Sequence, residues 1–369
     1  MTSAKHRILT INPGSTSTKV GVFDGPDVIF CETVSHDAAK LAEFESVSAQ
    51  MPYRRDTIVE LLDKHGVDLA AIDAFVGRGG GLISLEGGTY EINEKMYRDA
   101  ERTANGVKHP AQLGPQLAYE FAQTYGKPAF VVSPPDTDEF CDEARMTGIK
   151  GVYRRSHLHA LNIKETAIRH AASMGRAYED CRFVVCHIGG GISISAHDHG
   201  KMIDGFDIVE GEGPMAPTRC GAVPVTELLD YLDAGHTTEE ARMLCVKKGG
   251  FVDLLGTSDA IEVTTRAANG DAAAKRAWNA MCYQICKCIG AMACALGGHI
   301  DGILLGGGMV HSKDLVTRIV ARCGWIAPVS AYPGEFELEA MAAGACRVLD
   351  GVEVAKTYTG EPVFRGFDD

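Results

Sequence analysis

Short apolar runs alternate with polar turns and helically spaced stretches along the whole chain. Ile8, Leu9 and Ile11 form one apolar run and Val20, Val22 and Phe23 another. Runs of this length around a polar turn read as paired strands. Between them, residues 12–19 (NPGSTSTK) carry no bulky apolar side chain. The pattern returns over 183–205. An apolar strand leads into His187-Ile188-Gly189-Gly190-Gly191. The next strand puts Ile192, Ile194 and Ala196 on one side and Ser193, Ser195 and His197 on the other. A tight turn at His199-Gly200-Lys201 follows. Two such strand–turn–strand units, about half a chain apart, predict a duplicated domain.

Between and after the hairpins the period changes. Ile58, Leu61 and Leu62 are spaced for a helix over 54–65, with Gly66 placed to end it. Residues 72–76 read as a short buried strand running into Gly77-Arg78-Gly79-Gly80-Gly81. Helices are expected over 93–104 and 113–125. An apolar strand over 129–132 is stopped by Pro134-Pro135-Asp136-Thr137-Asp138-Glu139, a candidate domain boundary. Further helices are expected from 154–159 to about Met174, over about 224–234 and 238–248, and over 272–296. In the last, Trp278, Met281, Ile285, Ile289 and Met292 form a stripe that reads as core or subunit interface. Residues 302–305 form a buried strand ending in Gly306-Gly307-Gly308, and a final helix starts near Glu337.

Composition narrows the class. The chain has 369 residues, enough for about two domains, and 45% apolar residues. A net charge of −13 argues against a nucleic-acid partner. It leaves anionic small substrates open, because a local basic cluster outweighs a distant global charge. Twelve cysteines lack any Cys-x-x-Cys pair and several sit in apolar runs, so they read as reduced thiols of a cytoplasmic protein rather than disulfides or zinc ligands. No secretory segment is expected ahead of the first strand. The most apolar stretch, 288–310, is broken by His299, Asp301 and glycines and does not read as a membrane span. The Gly211-Glu212-Gly213-Pro214-Met215-Ala216 run imitates a dinucleotide fingerprint, but Pro214, Pro217 and Pro224 deny it the receiving helix.

Several polar clusters could carry chemistry. The 12–19 turn offers four hydroxyls, an amide, a lysine and a glycine, a donor set suited to phosphate. An ordinary hairpin with a polar loop is the bland alternative. Arg78 and Arg219 each stand beside a glycine turn, either as spacers or as cations aimed at a ligand. Asp136 and Asp138 follow a strand end, where they could hold Mg²⁺ or cap a helix over 138–146. Asp259 in Gly256-Thr257-Ser258-Asp259 could equally be a helix cap. The pairs His157/His159 and His197/His199 read as surface or capping histidines. At Gly306, Gly307 and Gly308, a flat ring or phosphates could pack against bare backbone.

Taken together, the motifs resemble those of the acetate/butyrate kinase family, within the actin-like ATPase superfamily. INPGSTSTK and VVCHIGGGISI match its paired phosphate hairpins. Further matches are VGRGGG, RRSHLHALN, GPMAPTRCGAVP, GTSD, GILLGGGM and YPGEFELEAMAAGACRVL, which span nearly the whole chain. The HALN and YPGE segments are more similar to the butyrate kinase branch.

The resemblance implies an α/β fold of two duplicated ribonuclease H-like domains with an active-site cleft between them. Residues 1–138 with about 340–369 would form the acyl- and phosphate-side domain, and 139–339 the nucleotide-side domain. It implies ATP/ADP and Mg²⁺ as cofactors and a short carboxylate or acyl phosphate as substrate, with no nucleic acid or membrane partner and a homodimer or larger homo-oligomer. Residue by residue, Asn12, Ser15, Ser17 and Lys19 match the first phosphate turn, and Gly189, Gly190 and Gly191 the second. Arg78 and Arg219 match the arginines that orient the carboxylate and the transferring phosphoryl group. His187 matches a histidine bonded to that group. Asp259 and Gly306 to Gly308 fall at the nucleoside, and the metal aspartate at Asp138 or Asp136.

Two departures weigh against acetate. The run after the last core strand is Gly-Gly-Gly-Met-Val-His rather than one carrying a glutamate, and Arg154-Arg155 stands where acetate kinases have a histidine. Butyrate or a branched short acid is therefore favoured. A propionate or acetate kinase, or a non-enzymatic actin-like ATP switch, is the alternative.

Overall fold

The computed structural model describes residues 5–367. They gather into two compact units: the first runs to Asp138 and resumes at Phe336, and the second is Glu139–Glu335.

The first unit is built on one sheet. Its strands β1 (Arg7–Pro13), β2 (Ser17–Asp24) and β3 (Asp27–Ser35) form an antiparallel meander. Strand β4 (Ala74–Gly77) then pairs with β1 in parallel, and β6 (Ala129–Val132) pairs with β4 in parallel. The three-residue β5 (Thr89–Glu91) and a short strand Lys356–Thr357 extend the far edge. Parallel pairing requires crossovers, and helices Met51–Lys64 and Leu113–Tyr125 supply them. Their Ile58, Leu62, Leu113 and Leu117 pack with Leu9, Ile11, Val22 and Phe75 in one core. Helix Glu337–Leu349 returns from the end of the chain and packs against β1 and β2, burying Leu338, Met341 and Ala345.

The second unit repeats the plan. Its strands β7 (Arg182–Ile188), β8 (Ile192–Asp198) and β9 (Lys201–Gly205) form the meander. Strands β10 (Gly302–Gly307) and β11 (Val329–Pro333) add in parallel. The order β9-β8-β7-β10-β11 reproduces β3-β2-β1-β4-β6, so the duplication suggested by the hairpins extends to whole sheets. Both faces are covered. Val184, Cys186 and Ile188 meet the 24-residue helix Ala272–Ala295, whose Trp278, Met281, Ile285, Ile289 and Met292 are all core. Phe183 and Val185 meet helix Ala160–Ser173. Each fully buried Ile or Leu in such layers contributes about 1.5–3 kcal/mol.

The structure differs from the sequence pattern in several places. Ser193, Ser195 and His197, the polar side of the alternating strand, are buried, because helix Ala160–Ser173 covers that side of the sheet. His197 is thus no surface histidine: it bonds Tyr178 Oη at 2.6 Å and Ser195 Oγ at 2.9 Å. The helix expected over 238–248 is α-helical only over Thr238–Met243 and continues as a π-turn, Leu244–Lys248. Asp136 and Asp138 cap no helix, since the short helix Asp142–Arg145 begins after Cys141.

Candidate active site

In the first unit the candidate groups collect where β1 and β4 end. Asn12 and Lys19 are cross-strand partners and share a face of the hairpin. The turn is closed by the Gly14 N–H donating to Ser17 O at 2.7 Å, with Ser15 exposed and Ser17 half-buried. Arg78 follows β4 directly, and its N–H donates to Ile11 O at 2.8 Å. The Asn12 amide donates to Glu337 Oε2 at 2.6 Å, and Arg78 Nη2 lies 3.6 Å from Glu337 Oε1. Arg78 is 7% exposed, yet its buried Nη1 has no partner among the described residues. A buried guanidinium nitrogen without an acceptor is costly, so a ligand oxygen there is strongly favoured.

Asp136 sits behind this group. The chain reaches it through Ser133, a non-glycine residue at φ +34°, strained backbone held by hydrogen bonds exchanged with Gly88. Asp136 is 5% exposed; Oδ1 accepts from the Asn105 amide at 2.5 Å, and buried Oδ2 has no partner among the described residues. Burial pushes its pKa up to about 6, opposed by the Asn105 bond, the Leu82 N–H and the Arg78 charge. Asp138 is buried as well, its N–H bound to Leu85 O at 2.8 Å.

In the second unit the Gly189–Gly191 turn is closed by the Gly189 N–H donating to Gly191 O at 3.0 Å. Thr218 ties down Gly190 O with its hydroxyl at 2.8 Å and its N–H at 3.3 Å. Arg219 then lies directly over the turn: a Cβ on Gly191 would fall 1.2 Å from Arg219 Nη1. That nitrogen is buried with no partner among the described residues, and Nε donates to Val246 O at 3.3 Å. Burial lowers the Arg219 pKa, while buried Asp207 opposes the shift. His187, opposite Ser193 in the hairpin, is 3% exposed. Its ring stacks on His159 at 4.1 Å, and Nε2 lies 3.7 Å from Glu335. His159 is fixed in turn by Ser193 Oγ, 2.8 Å from its Nδ1.

The glycines at the end of β10 differ in use. Gly307 adopts φ +96°, and a Cβ there would meet Ile188 backbone atoms at 2.4–2.7 Å. It is the point where β10 closes onto the end of β7. Gly308 faces open space, and a Cβ on Gly306 would make only ordinary contacts. Asp259 is exposed, and its Oδ1 caps helix Ala260–Ala268 through the N–H groups of Ile261 and Glu262. Arg154 is engaged within the unit, with Nε 2.8 Å from Glu212 and Nη1 3.0 Å from Asp204.

Three participants escape the sequence pattern. Glu337 opens the last helix, 325 residues from Asn12, and nothing local marks it. His159 belongs to a His-x-His pair whose spacing says nothing about a ring stacked on His187. Arg54 holds the first turn from behind. It was legible in principle, because it stands at the apolar-face spacing of Ile58, Leu61 and Leu62. Among the described residues no group of three or more His, Cys, Asp or Glu is placed to hold a metal, and no helix is long and apolar enough to cross a membrane.

Comparison with known proteins gives the family and the fold. The sequence model of the Acetokinase family matches residues 144–323. A probable butyrate kinase of Clostridium botulinum (strain Alaska E43 / Type E3) is 42% identical over 354 residues, 96% of this chain and 99% of that protein. The Porphyromonas gingivalis acetate kinase structure superposes with a TM-score of 0.76 at 22% identity, covering 93% of this chain and 99% of that one. A propionate kinase structure from Francisella tularensis gives 0.70 at 18% identity, covering 92% and 98%. These structures share the two-sheet α/β actin-like ATPase fold.

Proposed function

The chain belongs to the acetokinase family of carboxylate phosphotransferases, and from that premise we propose that it is a butyrate kinase. The reaction transfers the γ-phosphoryl group of ATP reversibly to butyrate, or to a similar or branched short acid. One observation carries the reading. The first unit has a hydroxyl-rich turn and the second a glycine-rich turn, each beside an arginine whose buried Nη1 is unfilled by the described protein, Arg78 in one and Arg219 in the other.

The step balances without a general base. A carboxylate oxygen, already ionised at neutral pH, attacks the γ-phosphorus in line. A P–O bond forms to the acid as the bond to the β-phosphate oxygen breaks, giving acyl phosphate and ADP. The protein's task is positioning and cations. Arg78 orients the carboxylate, Arg219 stabilises the equatorial oxygens, and His187, its ring fixed by His159, donates to the moving group. The first turn (Asn12, Ser15, Ser17, Lys19) and the second (Gly189, Gly190, Gly191) hold phosphate oxygens. Gly306 to Gly308 and Asp259 serve the nucleoside, Asp259 with the carboxylate oxygen its cap leaves over.

The donor set suits Mg²⁺, which takes one or two carboxylates plus phosphates rather than a protein cage. Asp136, with its unfilled Oδ2, fits better than Asp138, and Glu337 beside Asn12 is a second candidate. The ion would neutralise phosphate charge. The twelve free thiols fit a cytoplasmic setting, and a homo-oligomer is the expectation that the family resemblance supports.

Trapping acyl phosphate as hydroxamate, with ATP, Mg²⁺ and C2 to C5 acids, tests the proposal. Butyrate should exceed acetate in kcat/KM by about 30-fold or more, since it carries two more methylenes and each is worth about 1–3 kcal/mol. No hydroxamate with any acid would sink it.

A further inference from the structure

Arg54 is 0% exposed and has no carboxylate among its partners in the described residues. Its guanidinium instead gathers neutral oxygens from the β1–β2 turn. Nη1 donates to Gly14 O at 2.9 Å, Ser17 O at 3.0 Å and Thr18 Oγ1 at 3.1 Å. Nη2 donates to Ser15 O at 3.2 Å. Gln50 Oε1 steers the fork from the other side, accepting from Nη2 at 3.0 Å and Nε at 3.2 Å. The remaining carbonyl of the turn, Thr16 O, accepts from the His36 N–H at 2.8 Å.

Peptide geometry gives this a consequence. The chain has no cis peptide bonds among the described residues, and in a trans peptide the C=O and the following N–H point in opposite directions. Pinning Gly14 O and Ser15 O against Arg54 therefore turns the N–H groups of Ser15 and Thr16 the other way. Successive N–H groups aimed to one side form an anion-binding concavity. The cost of burying an unpaired cation is large, and a bound anion on the far side of the turn offsets it.

We propose that Arg54 is the positioning residue of this phosphate turn, holding its carbonyls back so that its N–H groups face a phosphate of ATP. The inference rests on the proposed reading of residues 12–19 as a phosphate site. A lysine cannot replace it, because one ammonium does not span the three carbonyls that the planar fork reaches.

The test measures steady-state kinetics for both substrates, with melting temperature alongside. Arg54→Lys should lower kcat/KM for ATP by about 10- to 10²-fold, the usual effect of small misplacement. The KM for butyrate should stay within about twofold of wild type. Arg54→Ala should behave likewise and recover activity towards ATP with tens of millimolar guanidinium, which wild type ignores. Gln50→Leu keeps the guanidinium but loses its guide, and should show a weaker loss of the same selectivity. It serves if the Arg54 variants do not fold. Ser17→Ala separates the two readings. Impaired ATP kinetics in Ser17→Ala with normal kinetics in Arg54→Lys and Gln50→Leu would overturn the role of Arg54 alone. Unchanged kinetics in Ser17→Ala as well would overturn both. Variants that melt earlier but keep wild-type KM and kcat per folded molecule would reduce Arg54 to a structural residue.

Discussion

Arg78 and Arg219 are alike in chemistry and differ in support. Arg78 stands next to Glu337, whereas Arg219 lies over bare glycine backbone. Removing either guanidinium should lower kcat by on the order of 10³, as loss of a transition-state cation does in phosphoryl transfer. Steady-state turnover of Arg78→Ala and Arg219→Ala decides it, and near-normal kcat would remove that residue from the mechanism. Asp136 adds a pH signature. Its pKa, pushed up to about 6 by burial, means the carboxylate form is lost as pH falls through 6. If that form is the working one, kcat should fall below pH 6. Asp136→Asn should then be slow and nearly flat over the same range.

His36 reports on folding rather than catalysis. Thr18 Oγ1 accepts from Arg54, so its own proton points to His36 Nε2, 2.8 Å away. Burial, and then the Arg54 charge, hold the His36 pKa at about 4, below its ordinary value near 6.5. Between those values the unfolded chain binds more protons, so stability rises with pH across this window. The contribution is whole above about 6.5 and shrinks as pH falls towards 4. His36→Gln should lose less stability than wild type between pH 7 and pH 5, read as the shift in urea midpoint. An equal shift would assign the acid sensitivity elsewhere.

At the scale of elements, the two glycine contacts make opposite predictions. A methyl on Gly191 meets only the far end of a flexible side chain, Arg219 Nη1. Gly191→Ala should therefore push Arg219 aside cheaply, costing less than about 1 kcal/mol of stability but about 10²–10³ in kcat. A methyl on Gly307 meets Ile188 backbone at φ +96°, where nothing can yield. Gly307→Ala should lose on the order of 1–3 kcal/mol. Melting and turnover measured on both variants would show whether the two effects separate.

The same scale shows what the sequence disclosed. The hairpin strands β1, β2, β7 and β8, the buried strands β4, β6 and β10 and most long helices were readable because each has one period and short, glycine-marked ends; β3, β5, β11 and helix Lys313–Cys323 were not read. Both candidate turns stood out because each interrupts apolar strands with glycine, hydroxyl or lysine residues, a set that an ordinary polar hairpin loop can also carry. Burial of Ser193, Ser195 and His197 was not, since period two marks faces and does not say what covers them. The π-turn at Leu244–Lys248 carries no local signal either, because its residues suit an ordinary helix. Glu337 and Arg54 act through partners 325 and 36–40 residues away, and only the closed fold makes those pairs.

At the scale of the molecule, the units are the same sheet built in two ways. The second is one continuous segment, Glu139–Glu335, and both faces of its sheet are covered by its own helices. The first is interrupted and completed by the end of the chain. Helix Glu337–Leu349 covers β1 and β2, and Tyr358 Oη donates to buried Asp99 at 3.0 Å. Removing the residues after 335 would expose the apolar face of the sheet that carries Arg78 and Asn12. It would also strip Glu337 from both. The expected outcome is asymmetric. The fragment 139–335 should fold alone and unfold cooperatively, with dispersed amide resonances and a single thermal transition. A chain ending at 335 should keep that core while residues before 138 become sensitive to limited proteolysis. If the fragment 139–335 were instead molten, with no cooperative transition, the second unit would depend on the rest of the chain for stability, and its sheet could not be counted a folding unit.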